Sequence, residues 1–149
     1  AYAGRYGYPT EGGRIYPLWG SIRPTVASIA SLVATLGTAY LGVQLSDKDI
    51  EVFSQKGSDT VWVNDGSTPQ IENGHCLLVW AYRGLLETDT VTLLTWGTRV
   101  TATWGWVISR VMEAHGLLFP QLSNPTGLYP TGKDISEIRK MNELLLGGS

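Results

Sequence analysis

The sequence predicts an α+β fold in which a small antiparallel sheet packs on one main helix. Three observations predict it. Val26, Ile29, Ala30 and Val33 fall at the i, i+3, i+4, i+7 spacing of a single helical stripe. Two segments rich in β-branched and aromatic residues, 75–83 and 90–96, are joined by a turn near Gly84 and read as neighbouring strands. A third such segment, Thr38 to Leu45, carries Gly42 in its middle, where a glycine marks a bulge or a close approach.

The chain has 149 residues, enough for one domain with its own core. Hydrophobic residues make up 43% and charged residues 16%, a globular balance that excludes a disordered chain. Low charge together with 6 tryptophans and 18 glycines fits a surface covered by a partner, or equally a tryptophan-rich core. The net charge of −2 and the scattered basic residues give no footprint for nucleic acid or for an anionic membrane. No apolar run approaches the roughly 18 residues of a membrane span, and the opening residues lack the apolar centre of a signal peptide. Virion or cytoplasm is the expected location. The single cysteine, Cys76, excludes an intrachain disulfide and a thiolate-rich metal site.

In chain order, residues 1–20 are rich in Gly, Tyr and Pro without periodicity and read as an extended arm. Tyr2, Tyr6, Tyr8, Tyr16 and Trp19 are its expected interface anchors, because exposed aromatics with hardly any charge are the residues that interfaces bury. Pro24 opens the helix that carries the apolar stripe, and Gly37 stops it. Ser46 caps a short turn through Asp47, Lys48 and Asp49. Residues 54–73 read as loop, with Val61-Trp62-Val63 as a short strand. Thr103 caps a helix from Trp104 to Val111, and Glu113 to Phe119 returns as a strand. Residues 120–149 form a proline-rich linker and an amphipathic helix whose Ile135, Ile138 and Leu145 share a face and are further interface candidates. The domain proper is 21–119.

Four short motifs, in order, are Gly74-His75-Cys76, Thr95-Trp96-Gly97, Thr103-Trp104 and Glu113-Ala114. On these the chain resembles the histidine-bearing sheet half of papain-like cysteine peptidases, and most of all a group of papain-like proteins encoded in bacteriophage and bacterial genomes. The resemblance covers roughly 13–119. It implies a strongly bent sheet of about five strands, His75 at the position of the catalytic base, and Thr95 and Trp96 at the corner that orients it. Complete family members carry their nucleophilic cysteine on a helix in an N-terminal half that this sequence does not contain. Where the peptidases place an orienting asparagine, two residues before the tryptophan, this sequence has Leu94.

The chemistry of a papain-type site needs a thiolate beside an oriented imidazole. His75 and Cys76 cannot be that pair on one strand, because adjacent side chains point to opposite faces. Cys76 is expected as a small buried residue beside Leu78 and Trp80, and His75 as a vestigial base bonded to Thr95 or to backbone. His115 reads as a strand or surface residue. Two histidines without a spaced third ligand make no metal site, and no cofactor is expected. Asp47, Asp49 and Glu51 lack the full calcium-loop pattern and read as solvated loop charges. Trp80, Trp96, Trp104 and Trp106 are expected in packing contacts rather than as a sugar platform.

The sequence therefore points to a non-catalytic structural or interaction protein. The resemblance makes it a virion component, such as a capsid or tail accessory protein, with protein partners in a larger homo-oligomeric or virion assembly. The alternatives are a subunit of a cysteine hydrolase whose nucleophile comes from another chain or a removed N-terminal half, and a carbohydrate-binding module.

Overall fold

Between Gly42 and Val43 the register shifts between two neighbouring strands of a seven-stranded sheet, and the sheet bends there. The computed structural model describes residues 8–11, 13–15, 18–138 and 140. The elements are β1 (Tyr8–Thr10), β2 (Gly13–Ile15), β3 (Leu18–Ile22), α1 (Val26–Leu36), β4 (Ala39–Gln44), α2 (Asp47–Lys56), β5 (Val61–Trp62), β6 (Gly74–Tyr82), β7 (Thr90–Thr95), β8 (Thr98–Thr103), α3 (Trp104–Arg110) and β9 (Val111–Leu118). Strands β1 and β2 form a separate two-stranded ribbon. The main sheet runs β3-β9-β4-β6-β7-β8-β5, antiparallel throughout except for the β5–β8 pair. The fold is α+β with a bent sheet, and a second register shift between Val79 and Ala81 adds to the bend.

Helix α1 forms as its sequence dictates. Thr25 and Ser28 make a reciprocal capping box at its start, and Gly37 ends it in the left-handed region at φ 86°. Its Ile29, Ala30 and Val33 are buried against the inward residues of the sheet, including Leu41 and Val43 of β4, Leu77 and Val79 of β6, and Ala114 of β9. Strict alternation of buried and half-buried residues along β4 and β7 shows one sheet face turned to this core.

Several expectations need correction. The sheet has seven strands rather than about five, because β3 and β8 join it. The segment Thr98–Thr103 alternates Val100 and Ala102 inward with Arg99, Thr101 and Thr103 outward, a strand period that the cap at Thr103 obscured. The turn after Ser46 continues as a full ten-residue helix, α2, which runs into the first residues of the expected 54–73 loop. Leu18–Ile22 is the edge strand, so the arm cannot extend to residue 20. The segment after Phe119 folds back on its own chain: Ile138, 5% exposed, packs with Leu118 and Tyr129, and Leu36 and Ile135 lie against that cluster. Ile135 and Ile138 are thus packing residues of this chain, not free anchors. Of the other interface candidates, Tyr2, Tyr6, Tyr16 and Leu145 lie outside the described residues, Tyr8 is described only in its backbone, and Trp19 stands half exposed on β3. No helix among the described residues is long and apolar enough to cross a membrane.

Candidate functional site

His75 enters strand β6 opposite Val43 of β4, on the sheet face that turns toward the core. Strand β7 ends at Thr95, and Trp96 and Gly97 make the two-residue turn into β8. Trp96 holds φ 44°, a conformation rare for a bulky residue, and Gly97 follows at φ 73°. That turn brings two groups to the imidazole. The Thr95 hydroxyl hydrogen-bonds to His75 Nε2 at 2.6 Å, the first of the two expected partners, Thr95 or backbone. The Trp96 indole stacks on the ring at 4.4 Å between centroids with 22° between planes.

Behind Trp96 lies an aromatic cluster. Phe53 of α2 meets the Trp96 ring at 4.3 Å, and Trp62 contacts Phe53, Trp96 and Trp106. These contacts hold Trp96 in its strained conformation and so keep its face on His75. The Nε1 of buried Trp62 has no hydrogen-bond partner among the described residues. Burial holds the His75 pKa below the ordinary histidine value, so the ring is neutral at neutral pH.

Cys76 departs from its expected place. Its neighbours Leu77 and Val79 take the core face, so the thiol turns outward and is exposed. The divergence of His75 and Cys76 along one strand stands, but the buried side belongs to the histidine. Trp80 shares that outward face at 42% exposure, with the Arg99 guanidinium 4.3 Å over its ring. Trp104 and Trp106 are fully buried, so the four tryptophans do not form one exposed row.

Asp49 corrects a second expectation. It is on helix α2, not in a solvated loop, and forms a buried ion pair with Arg110 at 2.7 Å. The same carboxylate accepts from the Ser46 amide and hydroxyl and from Trp106 Nε1, each at 2.8 Å. Burial acts to raise its pKa, and the hydrogen bonds from Arg110, Trp106 and Ser46 together outweigh it, holding the group below the usual carboxylate range. Arg110 also donates to Ser67 Oγ at 2.7 Å, tying the 64–70 loop to α3. The only sequence signal for this network was the Ser46-to-Asp49 spacing of a capping box, which says nothing of Arg110.

His115 lies on β9 with partners the sequence did not show. Its Nδ1 is 3.0 Å from Ser21 Oγ, its Nε2 is 3.4 Å from Glu113, and Trp19 meets it edge-on at 5.8 Å. Among the described residues no group of three or more His, Cys, Asp or Glu side chains is placed to hold a metal ion. No family model matches the chain, and no curated protein sequence matches it.

Proposed function

We infer that this chain is a non-catalytic structural or interaction module built on a papain-like sheet half, and that it serves in a virion as a capsid or tail accessory component. One observation carries the non-catalytic part. The imidazole of His75 turns inward against Thr95 and Trp96, while the chain's only thiol, Cys76, points out of the opposite face of the same strand. No rotation of either side chain brings them together, because the sheet lies between them. The virion assignment rests on the four motifs that resemble phage-encoded proteins and on the low charge of the chain; fold alone does not fix function. The test is the rate at which a thiol electrophile labels Cys76 in the native protein and in His75→Ala. Equal rates support the reading. A drop of about tenfold or more in the variant shows a thiol activated by the histidine and sinks it.

A second reading is favoured by the histidine itself. An imidazole that is neutral at neutral pH, fixed through Nε2 and covered on one face is what a general base requires. A cysteine supplied by another chain or segment would convert the module into the base-bearing part of a hydrolase. Intact mass and thiol labelling of native material decide between the two. A companion polypeptide with a fast cysteine, slowed by His75→Ala, establishes the hydrolase.

A further inference from the structure

Strand β3 is the open edge of the main sheet, paired on one side to β9 and to no described strand on the other. Its five residues, Leu18-Trp19-Gly20-Ser21-Ile22, carry no charge, no proline and no bulge. Edge strands of soluble proteins ordinarily carry such features to block pairing with another chain. Leu18 and Trp19 stand 43% and 49% exposed on it. Beside this edge, between β3 and α1, runs an apolar groove of about 740 Å³. Leu32 and Leu36 of α1 line one wall, Leu18 and Ile22 the other, and Gly116 sits between them. A Cβ at Gly116 would lie 2.8 Å from both leucine side chains, so the α1–β9 spacing depends on that glycine.

We propose that β3 is a dimerisation edge, pairing antiparallel with β3 of a second copy about a two-fold axis at Gly20. The strand is self-complementary in that register. Leu18 falls opposite Ile22 of the second copy, and both point to the groove side, where they complete the apolar surface formed by Leu32 and Leu36. Trp19 falls opposite Ser21 on the other face, beside His115. Charge selects this orientation as well. Arg23 is the one charged residue lining the groove. Antiparallel pairing about Gly20 separates the two Arg23 positions by about six residues, ~20 Å at about 3.3 Å per residue, whereas parallel pairing sets them side by side. An isologous contact of this kind closes as a dimer and exposes no further β3 edge.

The proposal rests on the interaction-module reading and names a second copy as the partner. The test is light scattering after size exclusion, with the full chain loaded at about 50 μM and diluted stepwise. The native chain is expected to run as a dimer. Leu18→Lys and Trp19→Lys, which place a charge on the pairing edge, are expected to weaken it at least about tenfold, with the melting temperature of the native chain diluted to its monomer, while Trp19→Phe keeps it. Because a lysine variant can fail to fold, hydrogen exchange on the native protein gives an independent readout: amide protection within 18–22 should rise with concentration. A monomeric native chain, a dimer that survives both lysine variants, or concentration-dependent protection located elsewhere overturns the proposal. A monomer whose Cys76 labels at the same rate with or without His75 overturns only the dimer. A monomer with His75-dependent labelling overturns the interaction-module reading too.

Discussion

Asp49 and Arg110 stand 61 residues apart in the chain and meet through a 2.7 Å ion pair with both side chains out of solvent. Helix α2 and helix α3 are joined by this contact, and the Trp106 indole closes on the same carboxylate. Removing one partner leaves the other charge buried and unpaired, which costs about 3–5 kcal/mol. Asp49→Ala and Arg110→Ala should each lose that much in urea unfolding. Losses below about 1 kcal/mol in both would show that the pair does not hold the helices.

The same carboxylate makes stability depend on acid. Its pKa in the folded protein lies below the unfolded value of about 3.9, so the unfolded state binds the proton more readily. The stabilisation is complete above about pH 4 and declines as pH falls through the folded value. Urea midpoints measured from pH 5 downward should fall more steeply for the native chain than for Asp49→Asn. Parallel curves would contradict the assignment.

His75 gives a pH dependence in a different window. Burial depresses its folded pKa, so the unfolded chain, with a value near 6.5, takes up the proton first. Stability is therefore full above about pH 6.5 and declines below it, down to the folded pKa. His75→Ala should flatten that part of the profile and cost about 1–2 kcal/mol at neutral pH through the lost Thr95 bond and Trp96 stacking. A variant as stable as the parent, with the same profile, would refute both statements.

Gly116→Ala tests the close approach of α1 to β9. The new methyl meets Leu32 Cδ2 and Leu36 Cδ1 at 2.8 Å, so the helix must shift or the leucines must leave their rotamers. Overpacking of this size costs about 1–3 kcal/mol. Thermal unfolding reads it, and an unchanged midpoint would mean that the leucines move freely.

Ile138→Ala tests whether the segment after Phe119 belongs to the folded unit. The side chain is buried against Leu118 and Tyr129, and truncating a buried isoleucine costs about 2–5 kcal/mol. A change within about 0.5 kcal/mol would mean that this segment contributes nothing to stability.

Local patterning by itself determined the α+β class, helix α1 with its apolar stripe and Gly37 stop, and strands β4, β6 and β7, and it marked Gly42 as a bulge or a close approach, of which the structure shows the bulge. Each of these is written within a dozen residues or in two adjacent strands, where periodicity, caps and a hairpin leave few alternatives. Tertiary structure decided the rest. Alternation along β6 says that His75 and Cys76 diverge, but only the core on one side of the sheet decides that the thiol is the exposed one. Asp49 reads as a solvated loop charge until two distant helices bring it to Arg110. Strand β3 and Ile138 looked like free extensions because their partners, β9 and the Leu118–Tyr129 cluster, lie far away in sequence. Burial is a property of what a face packs against, and that is settled only when remote segments meet.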